Sequence, residues 1–417
     1  DKEIPEYPLD QVLTANGYYY NRNKQGFLPE MMQRMYDDRV VYKQKMIEAQ
    51  KKYEETKDPK WSKKISKYKN MQLAKKVQLN SAYGALGNQY FRFFDVRMAE
   101  SITLSGQLSI RWIERRINDY LNKLLETSDE DYVLASDTDS VYITFERLVD
   151  KVFANRDAVS ESEYTRKVVD FLDRVAEEKV EPFIDKSYQD LADAMNAYEQ
   201  KMFMKREAIA DKGIWTAKKR YILNVYDNEG VRYADPKLKM MGIETVKSST
   251  PSSCRDALKE ALKIIMSEGE EAVQSYIADF REKFKSLPFE DVAFPRSVSD
   301  LSKYSTNDRE LVIPKGTPIH VRGSLVYNHM LRQKGLTKNF ETIKDGEKIK
   351  FCYLKMPNPT GQNIISIIST LPKQFELEAY IDYDTQFDKA FLEPLKIILD
   401  KIGWKAEHVP SLEDFWS

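Results

Sequence analysis

Tyr132-Val133-Leu134-Ala135-Ser136-Asp137-Thr138-Asp139-Ser140-Val141-Tyr142-Ile143 is the stretch from which the fold of this chain is read. Tyr, Val and Ile on both flanks favour extended backbone, while Ser, Asp and Thr between them supply turn chemistry, so strand, tight acidic turn and strand are expected. Carboxylates at i and i+2 near such a tip repel one another unless a cation lies beside them, and a divalent metal is the commonest remedy. Metal-assisted phosphoryl chemistry is the expectation that follows. An Asp-Thr-Asp standing alone also fits a solvated acidic turn, so the rest of the chain has to decide.

The 417 residues are 42% hydrophobic, enough for a sizeable core, and that length corresponds to about two to four structural units. No apolar run approaches the roughly 18 residues of a membrane span. The opening Asp1-Lys2-Glu3-Ile4-Pro5 lacks a basic segment followed by an apolar one. A cytoplasmic protein without a membrane partner is expected. Cys254 and Cys352 stand far apart without metal-ligand spacing, which fits packing residues in a reducing compartment. With 65 basic and 66 acidic residues the net charge is −1, so only the distribution of charge bears on a polyanionic partner.

That distribution is uneven. Arg34 to Lys76 holds 14 Lys or Arg against 6 Asp or Glu, in residues that favour helix, and Lys57-Asp58-Pro59 splits the stretch into two helices. A basic helical hairpin is expected, with a solvated coiled pair as the bland reading of the charge run. At its far end Lys76, Asn80 and Tyr83 or Gly84 share one helical face, and Arg39 and Lys43 are four apart on the first helix, so the two faces together suit a triphosphate. A long helix should follow, with Ile110, Ile113, Ile117, Leu121 and Leu124 as its core stripe. After the acidic hairpin, residues 162–198 are read as helical with Val168, Phe171, Leu172 and Val175 buried. Met202 to Ala210 and Ile214 to Tyr226 are read as strands, and Asp227-Asn228-Glu229-Gly230 as the turn into Val231-Arg232-Tyr233. The cations Lys218, Lys219 and Arg220 within such a strand want an anion, either a phosphate backbone or a cross-strand carboxylate. Thr250-Pro251 should cap a helix whose inner face is Ala257, Leu258, Ala261, Leu262 and Ile265, and a last helix is expected near Phe391 to Ile402.

Lys76-x-x-x-Asn80-Ser81-x-Tyr83-Gly84, then Asp137-Thr138-Asp139-Ser140, then Lys218-Lys219-Arg220-Tyr221, resembles the ordered motifs of a family-B DNA polymerase, especially those of large tailed bacteriophages. Gly84-Ala85-Leu86-Gly87-Asn88, Glu207-Ala208-Ile209-Ala210 and Gly242-x-Glu244-x-x-Lys247-Ser248-Ser249-Thr250-Pro251 extend the likeness. The resemblance implies an α+β, right-hand polymerase fold: a segment leading into the palm (1–28), helical-hairpin fingers (29–82), an antiparallel palm sheet with helices (83–241), a mixed thumb (242–410) and a clamp-binding tail (411–417). It implies that Arg39, Lys43, Lys76, Asn80 and Tyr83 bind the incoming deoxynucleoside triphosphate, with Lys76 protonating the departing pyrophosphate. Asp139 would hold two catalytic Mg2+ ions with Asp137 in support. Lys218, Lys219, Arg220, Tyr221, Lys247 and Thr250 would follow the primer-template DNA, and Leu412, Phe415 and Trp416 would anchor a sliding clamp.

Three departures from the family pattern stand out. Ala135-Ser136 replaces the usual Tyr-Gly before the acidic motif, and Lys205 stands where phage relatives often carry an acid, leaving Glu207 as the carboxylate of that stretch. No Asp-x-x-Ser-Leu-Tyr-Pro-Ser segment and no acidic exonuclease motifs occur. The expectation is therefore the C-terminal half of a replicative polymerase in the cytoplasm of an infected bacterium, needing an N-terminal half in cis or in trans. The competing expectation is a noncatalytic part that binds DNA and clamp.

Overall fold

The structure is a computed structural model that describes residues 10–154, 160–304 and 311–407. It divides into two compact units, one formed by residues up to 211 with 225–237, the other by 212–224 and residues from 238 onward. The mixture of helices and antiparallel sheets is α+β, as the sequence predicts.

The first unit opens with a small antiparallel hairpin, β1 (Gln11–Leu13) and β2 (Tyr19–Asn21), in which Val12 faces Tyr20. Helices α1 (Phe27–Thr56) and α2 (Pro59–Leu86) then form the expected hairpin. Its break is built locally. Lys57 turns left-handed, and the Asp58 carboxylate caps α2 by accepting from Lys60 N at 2.9 Å, with Pro59 at the first position where its missing N–H costs nothing. Lys75 pairs with Asp38 at 2.7 Å across the two helices, and Lys52 lies over the Trp61 ring, fixing the antiparallel register.

Helix α3 (Val96–Leu125) carries the predicted stripe: Ile113, Ile117 and Leu121 are buried with Tyr132, Val133, Val180, Ile184, Tyr188 and Leu191, and Ile110 packs against them. Leu124 departs from the expectation and is exposed; Leu125, four residues after Leu121 and so on the same helical face, packs on this core instead. After β3 (Val133–Asp137) and β4 (Ser140–Ile143) come α4 (Glu146–Val152), α5 (Glu161–Val175) and α6 (Glu181–Ala194). The inner face differs from the expected Val168, Phe171, Leu172 and Val175, which are only half-buried; the buried residues are Val169, Ala176, Val180, Ile184, Tyr188 and Leu191. A π-turn at Ala176–Val180 joins α5 to α6 and shifts the phase. Its cause is Pro182, whose ring has no N–H and crowds the carbonyl four residues back, which a widened turn relieves.

Strands β5 (Ala208–Ala217), β6 (Arg220–Asn228) and β7 (Val231–Met241) lie in that order in one sheet and contribute residues to both units. Residues 202–207 are not a strand, and the run expected to extend from 214 through 226 is cut by a two-residue turn at Lys218-Lys219, with Lys219 left-handed at φ 61°. No Gly, Asn, Asp or Pro marks this turn, which hid it in the sequence.

At the other end of β6, Asp227 is fully buried. It pairs with Arg206 and accepts from Gly230 N at 2.9 Å. Arg206 also pairs with Asp173 of α5, and Arg232 meets Asp173 at 2.9 Å and Asp170 at 3.1 Å.

The second unit holds α7 (Ser252–Ser267), α8 (Glu270–Lys285), α9 (Phe289–Val292), β8 (Phe294–Ser297), α10 (Leu301–Tyr304), α11 (Ile319–Gln333), β9 (Lys348–Tyr353), β10 (Ile364–Ile367), α12 (Tyr383–Phe387) and α13 (Glu393–Leu399). All five residues predicted for the inner face of α7 are buried, against Val273, Ile277, Phe280 and Phe284 of α8 and Phe387, Phe391 and Leu395. The last helix is longer than expected: α12, a π-turn at Asp388–Leu392, α13 and a short 3-10 turn follow without a break, and Pro394 stands after this π-turn as Pro182 does after the first. The antiparallel sheet β10-β9-β8 packs on α11 in a second core. Gly323 permits that contact, since a Cβ there would stand 2.4 Å from Ser366 Oγ. Cys254 and Cys352 are free, buried thiols, and burial pushes Cys254 up to about 12. No helix among the described residues is long and apolar enough to cross a membrane.

Removing Asp227 takes from Arg206 and Arg232 the fully buried carboxylate that both contact and leaves them only Asp173 and Asp170 nearer the surface. Asp227→Ala is expected to cost the first unit about 3–5 kcal/mol, read as a lowered urea midpoint; a change below about 1 kcal/mol would make the network dispensable.

Candidate active site

The acidic hairpin is held by α3. Asn118 Oδ1 accepts from Tyr132 N at 2.9 Å and Val133 N at 3.0 Å, while Asn122 accepts from Glu130 N at 3.0 Å and donates to Glu130 O at 2.8 Å. The start of β3 is thus fixed by side-chain hydrogen bonds, and Tyr132 and Val133 are buried against the α3 stripe. Asp137 faces Ser140 across the turn, and Leu134 is a bulge in the ladder. Thr138 has φ 55°, a conformation that a β-branched residue adopts only under strain, on the order of 1–3 kcal/mol. The turn is tied by Asp139 N donating to Asp137 O at 2.6 Å, Ser140 Oγ donating to the same carbonyl at 3.2 Å, and Thr138 Oγ1 donating to Asp137 Oδ1 at 2.9 Å. Asp139 is left exposed at the tip and Asp137 half-buried beside it.

Among the described residues no three His, Cys, Asp or Glu side chains are grouped to hold a metal ion. Two carboxylates without nitrogen or sulfur ligands fit Mg2+, which keeps several waters and is held through one or two carboxylates plus substrate phosphates rather than in an all-protein cage. Glu207, the third candidate, is exposed just before β5, and Lys205 pairs with Glu181 at 2.7 Å.

On the helical hairpin, Lys76, Asn80 and Tyr83 are exposed along α2. The Asp38–Lys75 pair puts Arg39 and Lys76, each one residue further on along antiparallel helices, about 3 Å apart along the hairpin axis. Arg39 is half-buried, and its Nε has no protein partner. Lys43 already holds an anion: it pairs with Glu229 in the β6–β7 turn, a long-range partner with no signal in the sequence.

The residues expected to follow DNA divide sharply. Lys218 and Lys219 are exposed at the β5–β6 turn. Arg220 instead makes a forked contact with Glu244 at 3.1 and 2.8 Å, so the carboxylate alternative holds for it, although that carboxylate comes from a following 3-10 turn. Lys247 pairs with the same Glu244 at 2.9 Å. Tyr221 is buried, its ring 6.2 Å from that of Trp215. Thr250 is also buried and does not cap α7, which starts at Ser252 after an extended Pro251 with no side-chain cap. The Gly242-x-Glu244 motif has a structural reason: Gly242 has φ 66°, and a Cβ there would stand 2.2 Å from Lys219 O. The segment therefore braces the Lys218-Lys219 turn from below. Leu412, Phe415 and Trp416 lie outside the described residues.

The first unit thus carries a strained two-aspartate tip and, on α2, an exposed Lys-Asn-Tyr face. The model for DNA polymerase family B matches residues 5–162, and that for divergent family B DNA polymerase matches residues 124–279. The chain belongs to the family B DNA polymerases. It is 40% identical over 354 residues to the DNA-directed DNA polymerase of Enterobacteria phage T4, covering 82% of this chain and 38% of that protein. It is 39% identical over 340 residues to that of Escherichia phage RB69, covering 78% and 36%, and 24% identical over 384 residues to a DNA polymerase of Pyrococcus glycovorans, covering 91% and 39%. The chain thus spans less than two fifths of the length of each of these relatives.

Glu244 is half-buried; burial raises its pKa, but hydrogen bonds and charge from Lys247 and Arg220 outweigh it, and the carboxyl is held below its ordinary value of 4.5. A depressed folded-state value gives stability that is present above the ordinary carboxylate range and lost as pH falls through the folded value. Glu244→Gln should therefore lower the stability of the second unit at pH 7 and flatten its acid dependence. Parallel acid-unfolding curves for the two proteins would contradict this.

Proposed function

We propose that this chain carries the fingers (29–82), palm (83–241) and thumb (242–410) of a replicative DNA polymerase that adds deoxynucleotides to a primer 3′ hydroxyl under template direction. The observation that carries the proposal is the strained Asp137-Thr138-Asp139 tip, which presents two carboxylates on a hairpin bolted to α3. Asp139, with Asp137 in support, would hold Mg2+ there; two such ions, when bound, supply activation of the 3′ hydroxyl and neutralisation of charge on the transferring phosphate. Arg39, Lys43 and Lys76 bind the triphosphate, and Lys76 donates a proton to the departing pyrophosphate. Asn80 and Tyr83 border the nascent base pair from the exposed face of α2. Lys218 and Lys219 reach backbone phosphates of the duplex from their turn, while Arg220, Lys247 and Glu244 keep that turn in place. Residues 411–417 dock on a sliding clamp through Leu412, Phe415 and Trp416.

A further carboxylate to hold the metals would come from polypeptide outside these 417 residues, in cis or in trans. The competing reading, a noncatalytic part that binds DNA and clamp, draws on the lack of a three-carboxylate group among the described residues. Primer extension separates the two. The chain alone should extend a primed template poorly with Mg2+, the polymerase segment missing from it should restore extension, and Asp139→Asn should abolish the restored activity while leaving the fold intact. Unchanged turnover in Asp139→Asn would move the metal site elsewhere, and complementation that never yields extension would favour the noncatalytic reading.

Duplex binding should be nearly indifferent to sequence and strongly dependent on salt, because the proposed contacts are to phosphates. The double substitution Lys218→Ala, Lys219→Ala is expected to reduce the slope of log affinity against log salt by about 2. An unaltered slope would remove these two lysines from the interface.

A further inference from the structure

The β6–β7 turn is a costly place for a glutamate. Glu229 has φ 53° and Gly230 φ 79°, the paired left-handed residues of a two-residue hairpin turn, whose first position favours Asn, Asp or Gly. The long Glu229 side chain gains nothing locally from that backbone and instead reaches α1, where it pairs with Lys43. Gly230 lies against the same helix: a Cβ there would stand 3.1 Å from Lys51 Nζ. On β7, Lys237 pairs with Glu54 of α1 with the charges reversed. Lys43, Lys51 and Glu54 lie within about 80° of arc and span about 16 Å of helix, so α1 lies along the turn through matched charges on one face. The turn is in its turn pinned by buried Asp227 and its arginines.

We propose that this contact is an autoinhibitory latch on nucleotide binding: in the absence of nucleotide Glu229 occupies Lys43 and holds the α1–α2 hairpin on the β6–β7 turn, and an incoming triphosphate takes Lys43 from it. The inference rests on the reading of Arg39, Lys43 and Lys76 as triphosphate ligands. A polyanion contacting three cations replaces a single carboxylate contacting one, so the exchange favours the nucleotide once it arrives. Until then the latch lowers apparent affinity in proportion to the fraction of molecules in which the hairpin is held. The strained glutamate is thereby accounted for: Asn would make the turn at lower cost but could not reach Lys43.

Two measurements test the latch. Spin labels at Glu55→Cys and Asp235→Cys report the separation of hairpin and turn in the full chain, and the buried Cys254 and Cys352 stay unlabelled. One narrow distance is expected without nucleotide, and a longer, broader one in Glu229→Asn, which suits the left-handed position, and in Lys237→Gln, which leaves Lys43 untouched. In the complemented polymerase on a dideoxy-terminated primer-template with Ca2+, Glu229→Asn should bind the complementary deoxynucleoside triphosphate about two- to fivefold more tightly. Lys76→Ala should bind it more weakly. If Lys76→Ala and Lys43→Ala both bind nucleotide as the unmodified chain does, the triphosphate site itself is misassigned and the latch falls with it. If Lys76→Ala weakens binding while Glu229→Asn changes neither affinity nor distance, the triphosphate site stands and the latch alone is overturned.

Discussion

Two hydrogen bonds to one amide oxygen carry much of this structure. Asn118 accepts from the backbone N–H groups of Tyr132 and Val133, where the chain has left α3 and is about to become β3. Without that acceptor both donors would be buried and unpaired, which costs about 1–3 kcal/mol for each. Ile113, Ile117 and Leu121 fall beneath the same strand, so helix, strand start and acidic tip behave as one rigid piece. A left-handed threonine persists at the tip because both strands and three turn hydrogen bonds over-determine it. Placing charge on a rigid element rather than a loose loop keeps carboxylates positioned before any ligand arrives.

The second unit solves the same problem differently. Lys218 and Lys219 sit on a turn with no glycine or proline of its own, and their support comes from outside the hairpin. Gly242 approaches the Lys219 carbonyl, and Glu244 gathers Arg220 and Lys247. Of six positive or polar residues that the sequence offers for DNA, the fold spends Arg220, Tyr221, Lys247 and Thr250 on this scaffold and leaves two lysines exposed.

What the sequence made legible was local. The acidic hairpin, the break at Lys57-Asp58-Pro59, the stripe of α3 and the inner face of α7 all follow from turn chemistry or periodicity within a single element. What stayed hidden depended on partners remote in sequence or on irregular backbone. Lys43 reads as a free cation until Glu229 is brought to it, and Arg220 as a phosphate ligand until Glu244 is. Thr250-Pro251 has the composition of a helix cap, yet Pro251 remains extended and the helix starts after it. The Lys218-Lys219 turn lacked every residue that announces a turn.

The two π-turns have an effect that reaches beyond their own five residues. A helix is a periodic object, and a single extra residue is a phase slip of about 100°. Pro182 and Pro394 each follow such a slip, so a nearly continuous helical rod presents one side before the slip and another after it. In this way α5 and α6 hold Val169 and then Ile184, Tyr188 and Leu191 inward, and α12 and α13 do the same with Phe387 and then Leu395 and Leu399. The rod acts as a vernier: its pitch stays nearly fixed, and one inserted residue supplies the offset that lets it mesh with surfaces of a different period.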